Sequence, residues 1–451
     1  MPGEFNIAIT GDSILNRKVS VCQDERFLSL IKVIRGADLG YTHLETLIHD
    51  YEGPEIYPGA EAGWTWMRSP KFIVDDLKWA GFQMVSHASN HSLDFCYGGL
   101  KSTWNALKEG GIVYAGTGNN LAEARAPAYL ETAKGRVALI SMCSSFTQAA
   151  RAGEQRADLQ GRPGLNPMRY YWKVDSQTLE MLKQIAFKIG WTIEQHGKTW
   201  LFYAPGIHMA TYRFEESSQP GVTTVPDEND VEGNLRSIKE AKRQADWVMV
   251  HIHNHEWDAA KGLSRPAQFI VTFARQCIDA GVDVFISQGS HSMHRGLEVY
   301  KNKPIFYDTG DFFFMSNTVQ RLPTDFFMRP GYGPEMKDLR LTASDGLDAR
   351  VKLPTPINPT LGATGGERML SGMHQAGPGC VVAICTFSAD KKLTGLKLYP
   401  FTLQREPRAQ AGIPLAADPE AARKIIEYTA GVSSDFGTKI EFQGGIGVVK
   451  V

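Results

Sequence analysis

The segment "WVMVHIHNHEWD", residues 247–258, places three histidines at alternate positions after an apolar run. Successive side chains of a strand point to opposite faces, so His251, His253 and His255 would share one face. Imidazole serves as a metal ligand and as a general acid or base. The spacing predicts that His253 points into a polar site and that His251 lies one step deeper. We expect His255 and Glu256 to orient the other groups from behind.

Polar residues also follow other segments that have the pattern of buried strands. They are Asp12 in "TGDS", Glu45 in "THLET", Asn90 and His91 in "SNHSLD", and His291 and His294 in "QGSHSMH". A single residue of this kind is most often a helix cap or a structural histidine. In open α/β sheets, however, ligands bind outside the carboxyl ends of the strands. Five strand ends that each carry Asp, Glu, Asn or His therefore favour one shared active site.

The elements that must position these residues alternate between strand and helix patterns. Strand-like segments at 5–12, 82–89 and 136–142 are separated by helical segments such as 25–36 and 98–111. This order predicts βαβ units with a largely parallel sheet. The alternation resumes at 231–290, and two alternating strands at 380–403 follow.

Two segments, 147–230 and 311–376, are rich in Gly and Pro and interrupt this pattern. Loops of such length are usually functional, so we predict that both are irregular insertions that wall the active-site cleft. Aromatic and basic residues in loop regions are candidates for substrate binding: Trp64, Trp66, Arg169 and Tyr170. They could bind a large apolar side chain and a terminal carboxylate, or they could simply pack on the core. Both interpretations stay open.

The composition is that of a soluble globular protein. The chain has 451 residues with 48 basic and 49 acidic side chains, and no basic tract stands out. Nucleic acid and anionic membrane surfaces are therefore excluded as main partners. No signal-peptide pattern is present, and no apolar run reaches the roughly 18 residues of a membrane span. Six scattered cysteines without a CxxC pair are typical of a reducing compartment, so we expect a cytoplasmic protein.

Several motifs, in order, resemble the CapA family, named for poly-γ-glutamate capsule biosynthesis. They are "GD" after the first strand, "LE" after the second, "NHSLDF-YGGL", "GGIVYAGTG" and "EVYKNKPIFYDTGDFFF". The resemblance spans residues 5–146 and 231–313. It implies a single α/β domain over 1–451 with a metallophosphatase-like fold, a four-layer α/β/β/α sandwich that carries the two irregular insertions. The positions that match the family's polar site are Asp12, Glu45, Asn90, His91, His253 and His291. Carboxylate, carboxamide and imidazole ligands suit Mn, Fe or Zn.

The sequence departs from the family pattern at two expected ligands. Ile14 replaces the histidine of Asp-x-His, and Met293 replaces the second histidine of the family's "GxHPH" motif. A soluble subgroup is similar to the tryptophan epimerase of lasso-peptide pathways, which needs no metal or cofactor. This resemblance implies inversion of the α-carbon of a C-terminal tryptophan in a ribosomal peptide. Asp12 and either His291 or His294 would be the acid/base pair, with the peptide presented by a leader-peptide-binding protein.

Three functional hypotheses follow from the sequence. We favour the metal- and cofactor-independent peptide epimerase. The alternative is a hydrolase of an amide or phosphoester that uses a divalent cation (Mn, Fe or Zn). The third hypothesis is a catalytically inactive scaffold, which would have no need for so many polar residues at strand ends. The natural substrate and the oligomeric state are open at this stage.

Overall fold

The computed structural model describes residues 4–62, 65–291, 294–328, 340–350, 379–404 and 406–451. The first part of the chain alternates strands and helices as expected. Its elements are β1 (Phe5–Ile14), α1 (Glu25–Arg35), β2 (Leu39–Leu44), β3 (Leu47–Ile48), β4 (Arg68–Ser69), α2 (Ile73–Ala80), β5 (Met84–Ser86), α3 (Cys96–Gly110), β6 (Val113–Ala115), β7 (Thr117–Gly118), α4 (Leu121–Arg125), β8 (Ala128–Thr132) and β9 (Gly135–Cys143).

The segment 147–230 contains regular secondary structure, so the prediction of an irregular insertion was wrong there. Its elements are β10 (Gly164–Leu165), β11 (Tyr170–Asp175), α5 (Ser176–Lys188), β12 (Thr192–His196), β13 (Thr199–Tyr203), β14 (Tyr212–Ser217) and β15 (Val222–Pro226). Five of these strands form a separate sheet in the order β12-β13-β14-β11-β15. A half-buried strand is recognised in a sequence by regular alternation of apolar and polar residues. These strands were missed because their partly buried aromatic residues do not follow that alternation.

The remainder of the chain completes the α/β pattern. Its elements are α6 (Glu228–Gln244), β16 (Trp247–His253), β17 (Trp257–Asp258), β18 (Gly262–Pro266), α7 (Gln268–Asp279), β19 (Val284–Gln288), β20 (Leu297–Tyr300), β21 (Lys303–Phe306), β22 (Asp311–Phe314), α8 (Thr324–Phe327), α9 (Ala343–Arg350), β23 (Cys380–Phe387), β24 (Leu393–Leu403), β25 (Pro414–Ala416), α10 (Pro419–Ser434), β26 (Ile440–Gln443) and β27 (Ile446–Val449).

The predicted second insertion, 311–376, begins with a strand of the main sheet. β22 pairs in parallel with β1, so residues 311–314 belong to the core and not to an insertion. The segment also contains the short helices α8 and α9. Residues 329–339 and 351–378 lie outside the described residues.

Two large sheets pack face to face. One has the order β26-β27-β24-β23-β1-β2-β5-β6, with β22 on β1 and β25 on β24; the other has the order β20-β21-β19-β16-β9-β8. Apolar side chains from β1 and β16, such as Ile7 and Met249, fill the space between them. The helices α1 and α2 cover the outer face of the first sheet, and α6 and α7 cover that of the second. The predicted four-layer α/β/β/α sandwich is therefore confirmed.

The first sheet runs in parallel from β22 through β1 and β2 to β5, and the second from β21 through β19 and β16 to β9. The carboxyl ends of these strands therefore meet at one edge of the sandwich. Among the described residues, none of the helices is both long and apolar enough to cross a bilayer.

Candidate active site

Asp12 and Asp311 are brought together by a close backbone approach. β1 and β22 pair in register at these two residues, and the Asp12 amide donates to the Gly310 carbonyl at 3.1 Å. A Cβ atom at Gly11 would lie 1.6 Å from that carbonyl oxygen, so only glycine fits between the strands. The "GD" and "TGD" motifs thus place two carboxylates side by side at the sheet edge.

Glu45 lies at the centre of the same edge. It follows β2, its amide donates to the Ser13 carbonyl at 3.2 Å, and its side chain is fully buried. His91 reaches it from the loop after β5, with Nε2 3.9 Å from Glu45 Oε1. The other ring nitrogen of His91, Nδ1, donates to Asp94 Oδ2 at 2.6 Å, which fixes the orientation of the ring. The adjacent Asn90 has a buried side-chain oxygen without a hydrogen-bond partner.

The second sheet contributes three histidines to Glu45. His253 Nε2, at the end of β16, lies 3.4 Å from Glu45 Oε1 and 3.3 Å from His255 Nε2. His291 Nδ1 lies 3.9 Å from Glu45 Oε2, 3.8 Å from Asp12 Oδ2 and 2.9 Å from Asp311 Oδ1. His291 has a φ of 59°, which is uncommon for a residue other than glycine and typical of functional sites.

His43 is a member of this cluster that sequence analysis did not identify. Its ring stacks between those of His251 and His253, with centroid separations of 4.4 and 4.8 Å. The Nδ1 atom is hydrogen-bonded to Ser86 Oγ at 2.7 Å, so Nε2 is left to face Asp12 and His253. The signal was present in "THLE", where His43 precedes Glu45 by two residues and therefore shares its strand face.

Asp311 and His255 also contribute to the site, although the sequence did not predict this. Asp311 sits in the "YDTGD" motif, but it was assigned to an insertion. His255 was expected to act from behind the site, yet one of its ring nitrogens lies within 4.8 Å of ligand atoms of Glu45 and His291. His251 lies deeper between the sheets, as its spacing predicted, with Nδ1 3.1 Å from Ser141 Oγ.

The buried polar atoms of this cluster lack hydrogen-bond partners to an unusual degree. Both carboxylate oxygens of Asp12 and both of Glu45 are buried without a donor, and so is Oδ2 of Asp311. Nε2 of His43 and Nδ1 of His253 also have no partner. Native structures leave few buried polar groups unsatisfied, and each such group calls for an explanation. Here the unpaired atoms converge on one place.

Burial and mutual repulsion disfavour the ionised carboxylates. Burial, and then the charges of Glu45, Asp308 and Asp311, raise the pKa of Asp12 well above its usual value. Burial also raises the pKa of Glu45, against the opposing effect of His291. Without a compensating positive charge, the cluster would therefore bind protons.

The histidines fall into two classes. Burial and the neighbouring rings lower the pKa of both His43 and His253 well below the usual value, so both are neutral at pH 7. Burial also favours a neutral His291, but the carboxylates of Asp311 and Glu45 outweigh it and raise its pKa to about 9. Without a cation, the protonated His291 ring acts as a counter-charge of these carboxylates. A bound divalent cation would displace that proton and leave a neutral ring, which is a potential ligand.

Three overlapping groups of side chains offer ligand atoms within 4.8 Å of one another: Asp12 with His43 and His253; Glu45 with His255 and His291; and Asp12 with His291 and Asp311. Their oxygen and imidazole nitrogen donors suit Mn, Fe or Zn. Of the positions expected from the sequence, Asp12, Glu45, His253 and His291 are brought together here, and His91 borders them.

His294, the other expected acid/base residue, lies apart from these groups. It is fully buried, with Nδ1 3.4 Å from the Asp308 carbonyl oxygen and its ring 6.3 Å from that of Tyr428. None of the three groups of potential ligands among the described residues includes it. Ile14 is packed in an apolar cluster, and Met293 is outside the described residues.

The expected substrate-binding residues have mainly structural contacts. Trp66 is 2% exposed and belongs to an apolar cluster, and its indole donates to the Gly59 carbonyl at 2.9 Å. Of the two interpretations that the sequence left open for Trp66, this burial favours packing on the core, and a role in substrate binding stays a prediction. Arg169 makes a bidentate ion pair with the buried Asp230 at 2.7 and 2.9 Å. Tyr170 stacks on Phe269 with a 4.6 Å centroid separation, and Trp64 is outside the described residues.

Comparisons with known proteins agree with the CapA resemblance. The chain is 31% identical over 453 residues to uncharacterized protein y4sH of Sinorhizobium fredii, covering 99% of this chain and 93% of that protein. Capsule biosynthesis protein CapA of Bacillus anthracis is 24% identical over 53% of this chain and 42% of its own length. A probable polyglutamine synthesis accessory protein of Mycobacterium tuberculosis is 26% identical over 50% of this chain and 43% of its length.

A structural comparison finds a putative 5'-nucleotidase from Staphylococcus aureus, solved in complex with alpha-ketoglutarate. It has a TM-score of 0.33 and 11% identity, and it covers 68% of this chain and 49% of that one, which is too weak a likeness to support an argument. The family model described as bacterial capsule synthesis protein PGA_cap matches residues 6–316, well over half of the chain. These matches do not single out an epimerase subgroup. The chain belongs to the bacterial capsule synthesis protein PGA_cap family.

Proposed function

We propose that this protein is a divalent-cation-dependent hydrolase of an amide or a phosphoester. One observation carries the proposal: all four carboxylate oxygens of Asp12 and Glu45 are buried without a hydrogen-bond donor. A buried, unpaired carboxylate is costly, and a bound cation removes that cost. The sequence lacks two expected ligands, and His43, His255 and Asp311 add three potential ligands to the set that it predicted.

The donor set fits such a cation. Asp12, His43 and His253 would hold one ion, and Glu45, His255 and His291 a neighbouring one, with Asp311 close to both Asp12 and His291. A divalent cation polarises a carbonyl or phosphoryl oxygen and lowers the pKa of water.

The remaining residues orient the site and handle protons. His91 donates through Nδ1 to Asp94, so its Nε2 faces Glu45 and can deliver a proton to a leaving group. Burial opposes protonation of His91, but the Asp94 carboxylate raises its pKa, which favours the donor form. The ring of Phe314 packs edge-on against His291 at 5.1 Å and shields that side of the site from water.

The peptide epimerase is the second candidate, favoured by one observation: the Asp12 carboxylate, whose two oxygens accept no hydrogen bond, faces His291 across 3.8 Å. An acid and a base that act on opposite faces of an α-carbon must each approach within about 3–3.5 Å of it, and so stand roughly 6 Å apart. The pair is closer than that in this structure. His294, the alternative partner, lies outside the cluster, so the epimerase ranks below the hydrolase.

One experiment separates the candidates. Purified protein is analysed for Mn, Fe and Zn and is then incubated in heavy water with peptide and phosphoester panels, with and without chelator. The hydrolase predicts bound cation and chelator-sensitive release of a fragment without exchange at carbon. Deuterium incorporation at an α-carbon that persists in chelator would reject the hydrolase in favour of the epimerase.

A further inference from the structure

The described residues include one arginine, Arg295, that is buried directly behind the candidate site. Its side chain is 1% exposed, and its guanidinium donates in three directions. Nε donates to the Leu263 carbonyl at 3.2 Å, Nη1 to Asn254 Oδ1 at 2.9 Å, and Nη2 to the His255 carbonyl at 3.4 Å. Two of the acceptors, on Asn254 and His255, directly follow β16, and the third lies in β18. The arginine therefore holds the backbone that carries His255.

His255 is anchored on its other side by a serine. Its amide donates to Ser145 Oγ at 2.7 Å, and that hydroxyl donates to Glu256 Oε1 at 2.9 Å. Ser144 Oγ donates to the other oxygen of Glu256 at 2.7 Å. The amide and the carbonyl of His255 thus have separate anchors, from the loop after β9 and from Arg295.

The guanidinium also places a fixed positive charge beside the buried carboxylates. Asp308, Glu256 and Asp12 all interact electrostatically with Arg295. Asp308 in turn accepts from the Ser290 amide at 2.7 Å, next to His291. Arginine is suited to this position because its planar fork serves several acceptors and stays charged when buried, whereas lysine offers a single flexible point charge.

We propose that Arg295 is a positioning residue for His255. By donating to Asn254 Oδ1 and to the His255 carbonyl, it directs the His255 imidazole towards Glu45 and His253. The role in cation binding rests on the proposed function, but the placement of the His255 ring does not.

The test uses full-length protein labelled with ¹⁵N in histidine side chains. The His255 imidazole signals are assigned with His255→Gln and are followed by NMR in Arg295→Lys, and Co²⁺ binding is titrated in parallel. Arg275→Lys is the matched control, because Arg275 is also hydrogen-bonded, through Nε to both carboxylate oxygens of Glu298 at 3.1 and 3.3 Å, but lies outside the cluster. We expect Arg295→Lys to move the His255 signals and to weaken Co²⁺ binding about 10- to 100-fold, with neither effect in the control.

Unchanged His255 signals in folded Arg295→Lys would overturn the proposal. If Arg295→Lys does not fold, Asn254→Ser decides, because it removes an acceptor of the guanidinium and leaves the charge in place; unchanged signals there have the same meaning. A wild-type protein that binds no Co²⁺ would refute the proposed hydrolase, while the NMR comparison would still decide the role of Arg295.

Discussion

Two regions of the molecule differ from the usual pattern of polar surface and apolar interior, and they do so in opposite ways. One is the strand-end cluster of potential ligands, and the other is the five-stranded sheet of residues 170–226. The members of the strand-end cluster are Asp12, His43, Glu45, His253, His255, His291 and Asp311. The cluster buries polar atoms without partners, above all on Asp12 and Glu45. The smaller sheet and its helix expose large apolar side chains instead: Met181, Ile185, Phe187 and Ile189 on and after α5 are 49–62% exposed. The cluster thus places unpaired polar atoms in the protein interior, and the smaller sheet and its helix place large apolar side chains on the protein surface.

The energetic consequences of these departures differ. A buried polar group without a partner costs about 1–3 kcal/mol, so the cluster persists only because the apolar layers of the sandwich hold it in place. An exposed apolar side chain costs little in the folded monomer. A contiguous apolar patch nevertheless marks a binding surface or an aggregation hazard. Beside α5 lies a cavity of about 380 Å³, lined by apolar residues that include Trp172, Leu182, Trp191 and Phe214. The unpaired polar groups of the cluster therefore lower the stability of the fold, whereas the exposed apolar side chains of the small sheet lower the solubility of the protein.

The largest expected effect comes from Asp12→Asn. This change should lower activity about 10²- to 10⁴-fold, as expected when a positioned ionisable group is lost. It should also raise the free energy of unfolding of chelated protein, because a buried carboxylate with an elevated pKa is replaced by a neutral amide. Turnover and thermal melting are measured on the same preparation, with exposed Asp390→Asn as the control. An Asp12→Asn variant that is less stable than the wild type and fully active would mean that the Asp12 carboxylate neither destabilises the fold nor serves activity.

Trp66→Ala tests whether this aromatic residue of a loop region belongs to the core. Since Trp66 is 2% exposed in an apolar cluster, truncation should cost about 3–5 kcal/mol of unfolding free energy. Substrate affinity of the folded fraction should not change. Chemical denaturation checks the first expectation and binding measurements the second. Weakened binding at unchanged stability would instead restore the substrate-binding role.

Protonation of the His291 side chain should make the stability of the protein depend on pH. Its folded-state pKa of about 9 lies above its unfolded value of 6.5, so the protonated ring stabilises the fold. This contribution is complete below pH 6.5 and is lost as the pH rises through 9, and it amounts to about 3 kcal/mol. Chelated wild type and His291→Asn are unfolded chemically at pH 6, 7.5 and 9. The gap between them should shrink as the pH rises; a constant gap would refute the ion pair with Asp311.

The smallest effect is expected for Ile185→Ser on α5. The side chain is 59% exposed, so the free energy of unfolding should change by no more than about 0.5 kcal/mol. The propensity to aggregate should fall, as measured by light scattering on heating. Phe202→Ala, at a residue 3% exposed in the same region, is the matched core change and should be far more destabilising. If Ile185→Ser and Phe202→Ala lowered the free energy of unfolding equally, the exposed face of α5 would have to be covered in solution.

The main sandwich was predictable because its signals are local. Apolar runs at Phe5–Ile14 and Trp247–His253 are buried along nearly their whole length, and the helices between strands show clear apolar periodicity. The small sheet was missed because its strands are partly buried and Pro- and Gly-rich turns separate them. The position of Asp311 was missed because nothing local indicates that β22 pairs with β1, three hundred residues away along the chain.

Sequence alone determined which residue types end the strands, and it thereby determined Asp12, Glu45, His253 and His291 as members of one site. It could do so because parallel strands deliver their carboxyl ends to a common edge. Only the tertiary structure decided that His43, His255 and Asp311 join them, that Trp66 packs in an apolar cluster, and that His294 lies outside the three groups of potential ligands among the described residues. Those outcomes depend on which side chains face each other between two sheets. That facing is set by strand register, by the close approach of Gly11 to Gly310, and by the anchoring of His255.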